Sequence, residues 1–575
     1  MLLSTLSIYP SVLCAVLVTV LVTIFTAQRI ARRPLPGIPY NASALKSFLG
    51  DITQLQNRPR ASETSVRPWF LEQAARHKSA VVQIFLGPFA RPTVLLSDYR
   101  EVLDILTHRD ADFKRGKKVD VFKGLLSHAF PAMESYDPRF KDSRNLMRDL
   151  MAPEFLKRTS SPRIYEAASR LVELWRLKSS LAQAHPFDVA RDLCDFSFDA
   201  MISSAVGSKA SGGDLDRQLF FLRKYATPAP LMANEKTDQL FVKFTSAPRS
   251  PELRSLLVNE QSLGTAFYFP WPRLYHFIDK LRPSVRRANR TIRAHIDKQT
   301  RNAISRLEQG KDPESALEYI IQRQIKNAEK SALDAHLDDP RIRDGVYGYL
   351  LAGHDTSAGS LTWIIRQLVA RPEEQSKIRE SLQKTYSAAW AQNRVPTPDE
   401  LTKTAPYLDA FIEEVLRYNC PVTTIGVSTR RDTMILGHKV PKDTTVFLNL
   451  TGPSLNMASV PVDESKRSPT YQAQKVTRSD WDDSDPAIFN PERWLKHNTE
   501  GEVTFSHLSG PCLSFSAGYR GCWGKRLGYL ELRIALTLLV WTFQFERIPE
   551  ELENWDTYDS LVTAPKQCFV QLSPI

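Results

Sequence analysis

The chain has 575 residues, 42% of them hydrophobic, and a formal net charge of +12; such a length buries a sizeable core and by itself suggests about three or four domains. Six cysteines at irregular spacing (14, 194, 420, 512, 522 and 568) and the lack of any C-x-x-C pair exclude a disulfide scaffold and a zinc module, and fit a reducing, cytosol-facing body. Lys and Arg are spread along the chain, with no repeat and no nucleic-acid motif, so the charge reads as a basic surface for an acidic protein or an anionic membrane, with no nucleic-acid partner.

In chain order, residues 1–27 carry no charged side chain, and Arg29, Arg32 and Arg33 follow before three prolines. As a helix the apolar run reaches about 40 Å, enough for a hydrocarbon core of about 30 Å. The reading is a single-pass transmembrane signal anchor over 1–28. The arginines hold the body on the cytosolic face of the endoplasmic reticulum membrane. A cleaved signal would want a basic n-region, which is missing. Residues 29–40 read as a stiff, proline-rich hinge, and the body spans 41–575. In it, "AVVQIFLG" and "PTVLLS" predict strands, and "LGHKV" inside 435–450 predicts a hairpin. Residues 344–372 predict a long, deeply buried helix ending before Pro372; 407–419 an amphipathic helix; 524–543 another apolar helix. The polar insert 453–484 predicts an irregular surface excursion.

Four motifs carry chemistry. In the buried helix, "AGHDTS" (352–357) sets Asp355 and Thr356 among apolar residues. Thr356 can bond the carbonyl four residues back and Gly353 can serve close packing; alternatively a locally opened helix uses acid and hydroxyl to hold a ligand and relay protons. Glu414 and Arg417 share a helix face, and "PERW" (491–494) adds Arg493 as a second bidentate partner. "FSAGYRGCWG" (515–524) is either a glycine-rich turn or a metal-ligand loop around Cys522.

Taken in order, "AGHDTS", "EEVLR", "FNPERW" and "FSAGYRGCWG" resemble the cytochrome P450 family of haem-thiolate monooxygenases, whose F-x-x-G-x-R-x-C-x-G signature the last motif meets at every specified position. The resemblance implies a mainly α cytochrome P450 fold, one large helical domain with a small β region. It implies haem b (iron protoporphyrin IX) as cofactor, with Cys522 as axial thiolate, Arg520 on a propionate, and Phe515 packing beside the sulfur. Gly518 and Gly524 would let backbone amides approach the sulfur. Asp355 and Thr356 match the acid-alcohol pair that delivers protons to bound dioxygen, and Glu414, Arg417 and Arg493 the structural triad. "RNLMRDLMAPEF" (144–155) resembles the W-x-x-x-R helix and its x-P-x-F turn, with Arg148 on the propionate-binding arginine and Arg144 in the tryptophan position.

Further implications are an NADPH-cytochrome P450 reductase as electron donor, with cytochrome b5 a second possible one, docking near Lys525 and Arg526. The stretch before Arg144, 264–277, 422–427 and 558–566 resemble the family's variable recognition regions for an apolar small-molecule substrate, with 264–277 dipping into membrane lipid to admit it or serving as ordinary core. The wording of "LAGHDTSAG" and "GPSLNM" looks like filamentous-fungal members that decorate secondary metabolites. A haem-thiolate isomerase or dehydratase that needs no reductase, and a non-enzymatic haem sensor or electron carrier, are rivals that leave the acid-alcohol pair without a task.

Overall fold

The computed structural model describes residues 26–56, 67–207, 212–225, 240–269, 271–330, 332, 334–474, 486–499 and 501–575, with isolated positions between 16 and 23. The expected anchor over 1–28 therefore lies mostly outside the described residues, and no described helix is long and apolar enough to cross a membrane.

The longest helix, Pro340–Ala370, starts at Asp339, whose carboxylate caps the Arg341 N–H, and stops where Arg371 leaves helical geometry ahead of Pro372. Apolar side chains face all around it, so it can only be stable inside other helices. Those are mainly Ala190–Val206, Pro283–Glu308 and Lys525–Thr542. Close approach to the first depends on Gly353: a Cβ there would lie 2.2 Å from Met201 Cε. The packing role of this glycine is thus real.

A second layer is the five-stranded sheet Val81–Ile84, Thr93–Leu96, Thr445–Asn449, Thr424–Thr429, Phe113–Lys114, in that spatial order. Only the Thr93–Leu96 and Thr445–Asn449 pair is parallel; the rest are antiparallel. The "LGHKV" hairpin forms as Thr433–Ile435 against His438–Val440, with Leu436 and Gly437 at positive φ in its turn. The fold is the expected mainly helical one with a small β region.

The hinge is stitched to the body. Arg32, 3% exposed, turns its guanidinium onto the carbonyls of Gly87, Ser47 and Phe48, while Gln83 bonds the Leu35 N–H and the Leu35 and Ile38 carbonyls. One of the expected topological arginines is therefore spent on tertiary structure. Within the insert, the described residues up to 474 are likewise docked: Arg467 bonds Asp98 through Nη1 at 2.7 Å, and Ser468 and Thr470 bond Asp104, tying them to the Tyr99–His108 helix.

Candidate active site

A largely apolar cavity of about 260 Å³ opens between the central helix and the loop 515–524. The loop ends on the Lys525–Thr542 helix, and its shape follows from its glycines. Gly518 sits at φ +68, and a Cβ there would lie 2.0 Å from the Leu106 carbonyl oxygen; its need for glycine comes from this approach to the Tyr99–His108 helix, not from the sulfur. Gly524 has negative φ and a Cβ there would meet nothing within 4 Å. Its amide bonds the Cys522 sulfur but does not require glycine to do so. The expectation that both glycines spare clashes at the sulfur is corrected accordingly.

Cys522 is the cysteine open to the cavity, with its N–H on the Phe515 carbonyl at 2.8 Å; Cys420 and Cys568 are buried. Burial pushes the Cys522 thiol up, opposed by the Gly524 amide and Lys525. Phe515 lines the cavity and packs on Tyr529, with ring centroids 4.9 Å apart.

Three arginines crowd one end of the same cavity: Arg115, Arg144 and Arg520. Arg520 stacks on Phe140, 4.2 Å from the ring centroid, and reaches the Met133 carbonyl at 3.1 Å through Nη2, yet its buried Nη1 has no partner. Burial, with Arg115 adding repulsion, pulls Arg520 down to about 9. Arg115 Nε is also buried without a partner. Unpaired guanidinium donors at the end of an apolar slot are costly unless an anion joins them. A flat apolar group with acidic arms and an iron atom for Cys522 fits these residues, as haem does.

Arg148 does not belong to this group. The Pro138–Leu146 helix ends before it, and its guanidinium is 60% exposed beside Asn145 and Asp149. Arg144 takes the cavity position instead, bonding the Tyr519 carbonyl at 3.2 Å and lying over the Tyr519 ring. Phe140, four residues earlier, is the aromatic of the pair. Of the two arginines, it is therefore Arg144, one helical turn before Arg148, that lines the cavity.

On the opposite wall, Thr356 faces the cavity, and its hydroxyl donates to the Ala352 carbonyl at 2.7 Å within an unbroken helix. The expected local opening is absent, and the back-bonded reading holds for this conformation. Asp355 is buried away from the cavity and accepts from Ser560 Oγ at 2.7 Å. Burial pushes its carboxyl up to about 7, with Glu260 adding and His354, Ser560 and Arg67 opposing. Sequence reasoning missed both Ser560 and Glu260. Burial pulls His354 down, but Glu260, 2.8 Å from Nδ1, and Cys194 outweigh it and hold the imidazole well above its usual value.

Glu414 collects Arg417 Nε and Nη2 at 2.8 and 2.7 Å, Arg493 Nε at 3.2 Å, Trp494 Nε1 at 2.9 Å and the Asn490 N–H at 2.7 Å. The Glu414 and Arg417 side chains have no solvent exposure. Glu414 and Arg417, neighbours on one helix face, thus meet the sequence-distant Arg493 in one lock.

The profile of the family described as Cytochrome P450 matches residues 57–458 and 480–572. The chain belongs to the cytochrome P450 family. With membership come haem b as cofactor and the monooxygenase class of oxidoreductase. The gap in the match, 459–479, falls inside the polar insert 453–484. The chain is 31% identical to cytochrome P450 monooxygenase xilC of Penicillium rubens, over 96% of this chain and 95% of that protein. It is 30% identical to cytochrome P450 monooxygenase TRI13 of Fusarium sporotrichioides (94% and 96%). It is also 30% identical to cytochrome P450 monooxygenase GME11363 of Pestalotiopsis microspora (98% and 97%).

Proposed function

We propose that this cytochrome P450 oxidises a largely apolar small molecule in fungal secondary metabolism, drawing electrons from an NADPH-dependent diflavin reductase while held at the endoplasmic reticulum membrane by its N-terminal segment. The observation that carries the reading is Cys522, the exposed cysteine among the described residues, on one side of an apolar slot whose end is crowded with unpaired guanidinium donors. Cys522 and the arginines Arg115, Arg144 and Arg520 would hold the haem, which when bound would supply the centre for dioxygen activation with Cys522 as its thiolate.

The chain's own residues manage protons and access. Asp355, with its carboxyl raised to about 7, holds a proton near neutral pH. From Ser560 it must turn toward the cavity, and Thr356 must release the Ala352 carbonyl, for the pair to pass that proton inward. These two residues support a dioxygen-using enzyme over an isomerase or a carrier. Beneath Cys522, a groove lined by Lys157, Lys525, Arg526 and Arg533 supports docking of an acidic reductase surface. Trp271, Leu274, Phe277, Ile278 and Leu281 are exposed together, which supports contact of that edge with lipid beside the anchor.

The test is the difference spectrum, reduced with carbon monoxide minus reduced without it, of microsomes that contain the full chain. A red-shifted Soret band of thiolate ligation, lost in Cys522→Ser, is the expected result. Its absence in well-expressed protein would withdraw the enzyme reading.

A further inference from the structure

A second cavity, of about 340 Å³, adjoins the haem slot and shares Arg115 with it. Its walls carry aromatic and aliphatic side chains, Phe267, Trp271 and Phe447 among them, together with the cations Arg91, Arg115, Lys117 and Lys118 and one acid, Asp443. Of the two lysines, Lys118 is the buried one. Lys118 lines this cavity and is only 9% exposed.

The local fold drives it inward. Gly116 stands at φ +57 against the strand Thr424–Thr429, where a Cβ would lie 2.1 Å from Ser428 Oγ. The helix Lys117–Lys123 therefore starts pressed onto the sheet; both Lys117 and Lys118 line the cavity, Lys117 exposed to solvent and Lys118 buried. Gly426 leaves room for the lysine stem; a Cβ there would be 3.1 Å from Lys118 Cε. The ammonium lies on the face of Phe267 and, among the described residues, makes no hydrogen bond or ion pair with a protein group. The charged groups that act on it are Arg115 and Arg67, both cations.

The acids nearby are committed elsewhere. Asp443, the one acid in the cavity wall, is 2.5 Å from Lys114 Nζ, Glu134 accepts the Arg115 and Gly116 N–H groups, and Asp559 faces Arg67. A buried ammonium without an anion is unfavourable, and two neighbouring guanidiniums make it worse. Burial and these cations accordingly push the Lys118 amine well down. An anion entering the cavity would reverse that cost, whereas a neutral ligand would not.

We propose that Lys118 is a specificity-determining residue that receives the carboxylate of an amphipathic substrate, an acid with an apolar body, in the cavity beside the haem slot. This rests on the functional reading above, with oxidation occurring at the slot that holds Cys522. The same carboxylate chemistry could come from a haem propionate, so the test separates the two.

The experiment titrates the haem-loaded full chain, in detergent, with dodecanoic, 4-phenylbutanoic and naphthalene-2-acetic acids, each against its methyl ester, and follows the Soret shift. At least one acid should bind about tenfold more tightly than its ester, the difference expected for a charge-assisted bond in an apolar site. Lys118→Met should erase that preference while leaving ester affinity and haem content unchanged, and Lys118→Arg should restore part of it. No acid preference across the panel, or a preference that survives in Lys118→Met, overturns the proposal. Faster haem transfer to apomyoglobin from Lys118→Met than from wild type would assign the carboxylate to the haem, and overturns it too. A wild-type chain without the thiolate band sinks the functional reading itself, a different failure from a normal band with no acid preference.

Discussion

Replacing Glu414 by glutamine keeps the shape of the lock and removes its charge. Five donors converge on that carboxylate, two of them from Arg417, which has no exposed side-chain surface. The glutamine can accept at one oxygen but turns an NH₂ group toward donors that are already cationic. Breaking one partner of a buried pair costs about 3 to 5 kcal/mol, because the other charge stays buried. Removing Arg417 in addition would not restore full stability: it also holds the Pro486 and Ile488 carbonyls, at 2.7 and 3.1 Å, each worth about 1 kcal/mol. Ser514 Oγ donates to the Leu416 carbonyl at 2.5 Å, so the triad helix is hydrogen-bonded to the ligand loop one residue before Phe515. Urea unfolding of the detergent-solubilised chain, followed by circular dichroism, should therefore show Glu414→Gln destabilised by about 3 kcal/mol or more, with haem content reduced. A cost below about 1 kcal/mol, typical of an exposed pair, would refute the idea that this lock carries the ligand loop.

Other tests bear on the slot. Arg144→Gln should speed haem transfer to apomyoglobin, whereas Arg148→Gln, outside the cavity, should leave it unchanged; the reverse order would restore the Arg148 assignment. Thr356→Ala should lower product formed per NADPH consumed without loss of haem, and unchanged coupling would remove the hydroxyl from the proton path. Because the Asp355 carboxyl is raised to about 7, its proton is held below that pH and lost above it. Coupling should therefore fall as pH rises through about 7, and Asp355→Asn should flatten this profile. The groups around it that can also titrate or carry charge are Glu260, His354, Arg67 and Tyr558. Ser560→Ala removes the bond that holds the carboxyl away from the slot and should shift the profile while leaving the Soret band in place.

What could be read from sequence was whatever depends on order along the chain. The motif set picked out Cys522, which lines the cavity, and Glu414, Arg417 and Arg493, which meet in one hydrogen-bonded lock, because their spacing is legible as a pattern of residue types. Arg144 and Arg148 show the limit. They lie four residues apart, so helical periodicity puts both on one face, and only the end of the helix at Leu146 turns the second away. A pattern that accepted any aromatic four residues before the arginine would have chosen Phe140 and Arg144. Ser560 and Glu260 had no such signal, since they reach the Asp355 region from segments about 200 residues later and 95 earlier. The stitching of Arg32 was equally hidden. A membrane-flanking arginine and a buried one look alike until Gly87 and Ser47 present their carbonyls.

The excess of basic residues takes on a different meaning once their surroundings are known. Arg32 and Arg417 are buried on backbone carbonyls, Arg417 with Glu414 as well, and Arg467 is buried on Asp98. These cations are compensated within the chain and serve its architecture. Arg115, Arg520 and Lys118 are withdrawn from solvent around two adjoining cavities without enough acid to balance them. A fold tolerates such an imbalance only where something else supplies the negative charge. Two carboxylate-bearing guests would do so: a haem whose acidic arms meet the arginines, and an acidic substrate whose head meets Lys118. Counting inward cations against inward acids thus places the ligand charge, which the overall +12 cannot.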